Sequence, residues 1–258
     1  MFTVPGATQL LPLGVVKSLL QYAATCAEPD RSHIYGGVVQ LHTKVEGIEN
    51  ETTSGLEAAG ASEQRVAVAI DPTKVSRFFS TLIPLSAVPV LLALDGDDLN
   101  FSETDKQLYF SANGVEIYVA KLAKKYPNCS AVIPKEFAYV YEVSAEEFKS
   151  ALRTVEPIID PRDNKGCGVK VHFLDNAVTV KSLGTGDSAE DSVPCSQTLP
   201  DPIFESADFS ISLNHRFLSD FFGAVSGTVT FSANGSEKPV LLEAGNKKTL
   251  IAAMKEKK

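Results

Sequence analysis

The side chains able to do chemistry are few and widely spaced in this 258-residue sequence. Histidines stand at His33, His42, His172 and His215, and cysteines at Cys26, Cys129, Cys167 and Cys195. The cysteines form no CxxC pair, so they read as reduced thiols in or near the core. Asp95, Asp97 and Asp98 begin like a calcium loop, but Leu99 stands where its fifth position needs an oxygen ligand. Gly184-Thr185-Gly186-Asp187 has two glycines of a phosphate loop without the lysine. No GxSxG, HExxH or GxxxxGK[ST] pattern occurs. Neither a nucleophile–base pair nor a metal set can be assembled. The expectation is a protein that is not an enzyme and uses no cofactor or metal.

What remains is positive charge on helical patterns. Lys17 lies on a first, Lys74 and Arg77 on a second, Lys149 and Arg153 on a third, His215 and Arg216 on a fourth. Spacings of three and four residues place each of the two middle pairs on one helical face. Glu146, Glu147, Glu156 and Asp220 keep an ordinary solvated surface as the other reading.

The elements that must carry these residues come from an internal repeat. Val16-Lys17-Ser18-Leu19-Leu20 and Phe148-Lys149-Ser150-Ala151-Leu152 sit in amphipathic patterns. Each precedes a strand pattern that starts at Gly37 or Gly168. Lys149 follows Lys17 by 132 positions (149 less 17) and Gly168 follows Gly37 by 131 (168 less 37), so the register is kept. Val68–Asp71 and Phe209–Asn214 then precede two further predicted helices, about Pro72 to Leu82 and His215 to Val225. Asp71 and Asn214 suit their N-caps, and Pro72 the first turn. Predicted strand pairs follow: Val88–Ala93 turning at Asp95-Gly96-Asp97-Asp98 into Leu99–Ser102, and Thr228–Ala233 turning at Asn234-Gly235 into Pro239–Glu243. Ile117–Leu122 echoes Leu250–Met254. The expected class is α+β, in two repeated domains of residues 1–134 and 135–258, each with two helices packed on antiparallel sheets. The stretch Leu183–Phe204 reads as a mobile loop.

Composition sets the outer bounds. The chain is 44% hydrophobic, with 14 Phe and no Trp, enough for sizeable cores. No apolar run reaches the length of a membrane span. Met1–Gly6 lacks a basic start and Lys17 interrupts the apolar run behind it, so no signal peptide is read and a cytoplasmic location is expected. The net charge of −8 speaks against a surface that is basic all over, though not against one basic working face.

Order and spacing resemble a known family. Leu11-Pro12 through Val15–Leu20 to Tyr35-Gly36-Gly37-Val38 resembles the opening of the second domain of the bacterial DNA polymerase III β subunit, the sliding clamp. Residues 209–243, through Leu213-Asn214, Phe217-Leu218, Phe221-Phe222 and Val229-Thr230-Phe231, resemble the third domain. Tyr126-Pro127 with Val132-Ile133-Pro134 matches the segment joining the two.

The resemblance implies a DNA sliding clamp, a replication processivity factor whose ring of six domains encircles duplex DNA. The helices of such a ring line its hole and contact phosphates without reading bases. Lys17, Lys74, Arg77, Lys149, Arg153 and Arg216 become the expected DNA-facing set. With the family's first domain missing, a homotrimeric head-to-tail ring would restore six domains. The alternative is a clamp-like interaction module or decoy that closes no ring. The family's cleft for polymerase and clamp-loader peptides maps onto Thr53, Gly55, Leu56, Pro127, Val132, Ile251 and Met254. Its Thr-Asp-Gly-His-Arg-Leu loop becomes Thr53-Ser54-Gly55-Leu56-Glu57-Ala58, with a charge reversed at Glu57. The family's Met-Pro-Met-Arg type ending becomes Met254-Lys255-Glu256-Lys257.

Overall fold

In a computed structural model, residues 8–46, 53–159, 167–174, 176–183, 188–197 and 209–255 are described. The chain divides into two units, Met1–Val132 and Ile133–Lys258.

Unit 1 runs β1 (Gln9–Pro12), α1 (Leu13–Cys26), β2 (Val38–Glu46), β3 (Thr53–Ala61), β4 (Arg65–Asp71), β5 (Ser80–Pro84), α2 (Val88–Leu92), β6 (Asp98–Glu103), β7 (Gln107–Ala112) and β8 (Val115–Ala120). A 3-10 turn at Cys129–Val132 ends it. Two antiparallel sheets result, ordered β1-β6-β7-β8 and β5-β2-β3-β4. Leu13, Val16, Leu19, Leu20, Ala23 and Cys26 recur at helical spacing and are the buried face of α1. That helix lies so close to β3 that a Cβ on Gly60 would stand 1.8 Å from the Ala23 carbonyl oxygen. Only glycine fits there.

Unit 2 repeats the order: β9 (Tyr139–Ser144), α3 (Ala145–Val155), β10 (Gly168–Leu174), β11 (Ala177–Ser182), β12 (Glu190–Gln197), β13 (Phe209–Asn214), α4 (His215–Gly223), β14 (Thr228–Ala233), β15 (Val240–Ala244) and β16 (Lys247–Ile251). Its sheets are β13-β10-β11-β12 and β9-β14-β15-β16, joined where Cys195 of β12 pairs with Val143 of β9. Phe148 of α3 stacks on Phe222 of α4 at 4.3 Å, and Tyr141 on Phe173 at 4.1 Å. Each such pair contributes about 0.5–1.5 kcal/mol beyond the area it buries. Asn234, at the β14–β15 turn, clips the chain entering the unit: its Oδ1 accepts from Ala138 N at 2.8 Å and its Nδ2 donates to Glu136 O at 2.8 Å.

The α+β class and the repeat hold, but the second half of the repeat is shifted. The predicted helix Pro72–Leu82 is absent. Asp71 Oδ1 accepts from both the backbone N–H and the hydroxyl of Thr73, a local turn that competes with helix entry, and the chain continues irregularly into β5. The predicted strand Val88–Ala93 is α2 instead. Pro89 sits in its first turn, and burial of Val88 and Leu91 beside exposed Val90 follows helical rather than alternating spacing. Asp95–Asp98 therefore links a helix to β6 and turns no hairpin. The true counterparts are β5 with β13 and α2 with α4. Asn214 ends its strand 130 positions after Pro84 (214 less 84), in line with the register of the first half.

Candidate nucleic-acid interface

The six expected phosphate-facing cations lie in four local settings. Lys17, half-buried on α1, donates from Nζ to the Leu94 carbonyl beyond the end of α2. A cation at the carbonyl end of a helix is favourable, and this one ties the two helices of unit 1 together. Lys74 and Arg77 are exposed, on the irregular segment between β4 and β5 and not on a helix. Thr43 pins that segment to β2: its N–H donates to Phe79 O at 2.9 Å and its hydroxyl to Arg77 O at 3.2 Å. Phe78 projects beside Arg77 with 68% of its surface exposed, an apolar outlier within the stretch predicted as a helix.

In unit 2, Ser144 caps the start of α3: its Oγ accepts from Glu147 N at 3.3 Å. Glu146 Oε1 accepts from Gly227 N at 3.1 Å, and this bond holds its carboxyl below the ordinary range. The acids of α3 thus sit at its positive end, while half-buried Lys149 and exposed Arg153 follow toward the other end. On α4, Asn214 caps the helix by accepting from Arg216 N at 2.9 Å, and the Arg216 side chain is exposed. His215 is no surface cation. It is buried, and its Nε2 lies 3.0 Å from the Leu152 carbonyl. A carbonyl only accepts, so Nε2 carries the proton and bridges α3 to α4.

The residues mapped to a partner-peptide cleft divide by burial. Thr53 begins β3, Gly55 lies two residues on, and Leu56 is wholly buried, as is Ile251 on β16. Pro127 and Met254 are half-buried, and Val132 is 51% exposed.

Glu57, expected as a reversed charge in that cleft, is a buried ion-pair centre. Its Oε1 meets His42 Nε2 at 3.2 Å and accepts from Ser130 Oγ at 3.3 Å, and Oε2 meets Lys44 Nζ at 3.2 Å. Burial acts to raise this carboxyl, and the His42 bond with the charges of His42 and Lys44 outweighs it, leaving the group below its usual value. Beside it, burial first and the Glu57 charge second push the Cys129 thiol up to about 12. Sequence reading missed this cluster because His42, Lys44, Glu57 and Ser130 meet only through the β2–β3 register and the turn at Cys129–Val132. Among the described residues no group of His, Cys, Asp and Glu is placed to hold a metal ion, and no helix is long and apolar enough to cross a membrane.

No protein-family profile matches the chain, and no curated protein does. Solved structures do match. The chain is similar to a DNA polymerase III β sliding clamp of Bartonella birtlesii, solved with griselimycin, at 19% identity and a TM-score of 0.82, over 99% of this chain and 68% of that one. It is similar to the clamp of Bacillus subtilis at 17% identity and 0.83, over 100% and 67%. It is similar to the β subunit of Thermotoga maritima at 15% identity and 0.82, over 100% and 68%. The fold is that of bacterial β sliding clamps, present here as two of the clamp's repeated domains.

Proposed function

We propose that this chain is a sliding clamp that holds a DNA polymerase on duplex DNA by topology, without catalysing a reaction. The observation that carries the reading is a fold match over 99% of this chain to 68% of a three-domain clamp chain. Three such two-unit chains, joined head to tail, make a ring of six units, the number in the family's rings. Lys74, Arg77, Lys149, Arg153 and Arg216 are the proposed phosphate contacts, and Lys17 contributes its charge from a fixed position. Solvated cations of this kind attract the backbone without selecting sequence, as sliding requires. Thr53, Gly55, Leu56, Pro127, Val132, Ile251 and Met254 are the proposed contacts for polymerase or clamp-loader peptides.

The test uses topology. Chains dissociated and then reassembled around a nicked circular duplex should stay bound in high salt and be released when the circle is cut. Equal retention on linear and circular duplex would end the reading.

A second reading, a clamp-like module that closes no ring, is supported by charge. The two cations of α3 share that helix with two acids, Glu146 and Glu147, and Arg216 shares α4 with Asp220. Light scattering separates the readings, since the module is a single chain.

A further inference from the structure

The two units repeat each other closely enough to be compared side chain by side chain. Residues of β2 and β10 agree in burial at an offset of 130, which sets Thr43 against Phe173 (173 less 43). β1 and β9 lead into their helices at an offset of 132, which sets Gln9 against Tyr141 (141 less 9). Strand pairing agrees: Gln9 is the cross-strand partner of Phe101, and Tyr141 that of Phe231. In unit 2 these positions carry rings. Tyr141 stacks on Phe173 at 4.1 Å, and Phe173 meets Phe231 at 4.8 Å. Unit 1 keeps Phe79 and Phe101, 4.9 Å apart, but an amide and a hydroxyl replace the other two rings, at Gln9 and Thr43.

A cavity of about 420 Å³ opens beside Gln9, walled by Phe79, Phe101 and Ser102. Gln9 and Ser102 are each only 4% exposed, and neither Gln9 Nε2 nor Ser102 Oγ has a hydrogen-bond partner among the described residues. A buried donor left unpaired is costly, so a ligand that satisfies it binds the better for doing so. Arg77 and Phe78 form the exposed rim, and the Thr43 hydroxyl holds that rim through Arg77 O and Phe79 N. Glu103 also lines the cavity, but Lys121 neutralises it at 2.9 Å. Arg77 makes no ion pair among the described residues.

We infer that this cavity binds one nucleotide, the base taking the place of the missing rings and the phosphate meeting Arg77. Aromatic walls accept any base by stacking. The Gln9 amide adds selection, because a donor and an acceptor side by side match the edge of adenine. This chemistry has two sources, a free adenine nucleotide and an unpaired nucleotide of single-stranded DNA. Every residue involved belongs to unit 1, so the site does not depend on ring closure.

Calorimetric titration of the full chain with deoxyadenosine monophosphate should show one site per chain, and thymidine monophosphate should bind at least about tenfold more weakly. Gln9→Tyr restores the ring that unit 2 carries. It should fill the cavity and abolish nucleotide binding while the melting temperature holds or rises, which shows the variant to be folded. Gln9→Leu, of similar size, should remove the preference for adenine. Arg77→Ala should weaken the monophosphate and leave deoxyadenosine, which has no phosphate, unchanged. An oligonucleotide of deoxyadenosine that binds in a Gln9-dependent way assigns the site to unpaired DNA, and binding of the monophosphate alone assigns it to the free nucleotide. Nucleotide binding that survives Gln9→Tyr, or no binding of either probe, would overturn the inference. Retention of Gln9→Tyr on circular duplex should equal that of the wild type, which separates failure of this site from failure of the clamp reading.

Discussion

Lys17 Nζ donates to the carbonyl oxygen of Leu94, which fixes the only cation of α1 at the exit of α2. Charge-assisted hydrogen bonds contribute about 1.5–3 kcal/mol. Lys17→Met, which retains the aliphatic stem, should lower stability by that order and be seen as a lower midpoint in chemical denaturation. An unchanged midpoint would mean that the ammonium is free for other work.

The cations of α3 and of the segment between β4 and β5 should act on DNA instead. Each phosphate contact contributes about 0.9 to the slope of log affinity against log salt. Removing Lys149 and Arg153 together should flatten that slope by about 2 for chains on duplex DNA, with stability nearly unchanged. Lys74→Ala with Arg77→Ala should do the same from unit 1. Slopes identical to wild type would place these side chains away from the duplex.

Glu57 makes the stability of unit 1 sensitive to acid. Its carboxyl is held below the reference value of 4.5, so its contribution is complete above that pH and is lost as pH falls through the lower folded value. Glu57→Ala leaves His42 and Lys44 facing an uncompensated site. Breaking a buried pair in this way costs about 3–5 kcal/mol, toward the lower end where the cations keep some exposure. Glu57→Gln should also flatten the decline in melting temperature between neutral and acidic pH. A decline parallel to that of the wild type would assign acid sensitivity to other carboxylates.

Cys129 should be the slowest thiol to alkylate. Burial and the neighbouring Glu57 charge hold it protonated to about pH 12, and the thiolate is the reactive form. Cys167 and Cys195 are half-buried and should react with iodoacetamide before Cys129, Cys195 more slowly than its exposure suggests because burial raises its thiol, with Cys129 modified only as unit 1 unfolds. Mass spectrometry of partially labelled protein orders the sites. Early labelling of Cys129 would show that the turn at Cys129–Val132 opens in the native state.

The first half of each repeat could be read because α1 and α3 are long enough for burial at helical spacing to be unmistakable. Asn234-Gly235 marked the β14–β15 turn, and Asn214 marked the start of α4, both through local chemistry that the fold leaves intact. Residues 72–82 misled for a physical reason. Asp71-Pro72 imitates a helix start, and Val75, Phe78, Phe79 and Leu82 recur at helical spacing, yet Phe78 points into solvent. Val88-Pro89-Val90-Leu91-Leu92 offers no polar residue to betray its period, so a buried strand and a short helix read alike. Of the site, the cations were visible as residues but their settings were not. Whether Lys17 holds a carbonyl or Glu57 a histidine depends on contacts between residues far apart in sequence. The segment Gly184–Asp187 and the end beyond Lys255 lie outside the described residues.

Asn234 precedes Gly235, the dipeptide in which an asparagine side chain most readily closes on the following nitrogen and turns into an aspartate. Here both ends of that amide are occupied, by Ala138 and Glu136, so the ring closure that begins this ageing must first break two bonds. The clip that admits the chain into its second unit therefore also acts as a preservative. Conversion at this one position would place a new negative charge against the Glu136 carbonyl and loosen the entrance, so a slow chemical clock is wound into the β14–β15 turn.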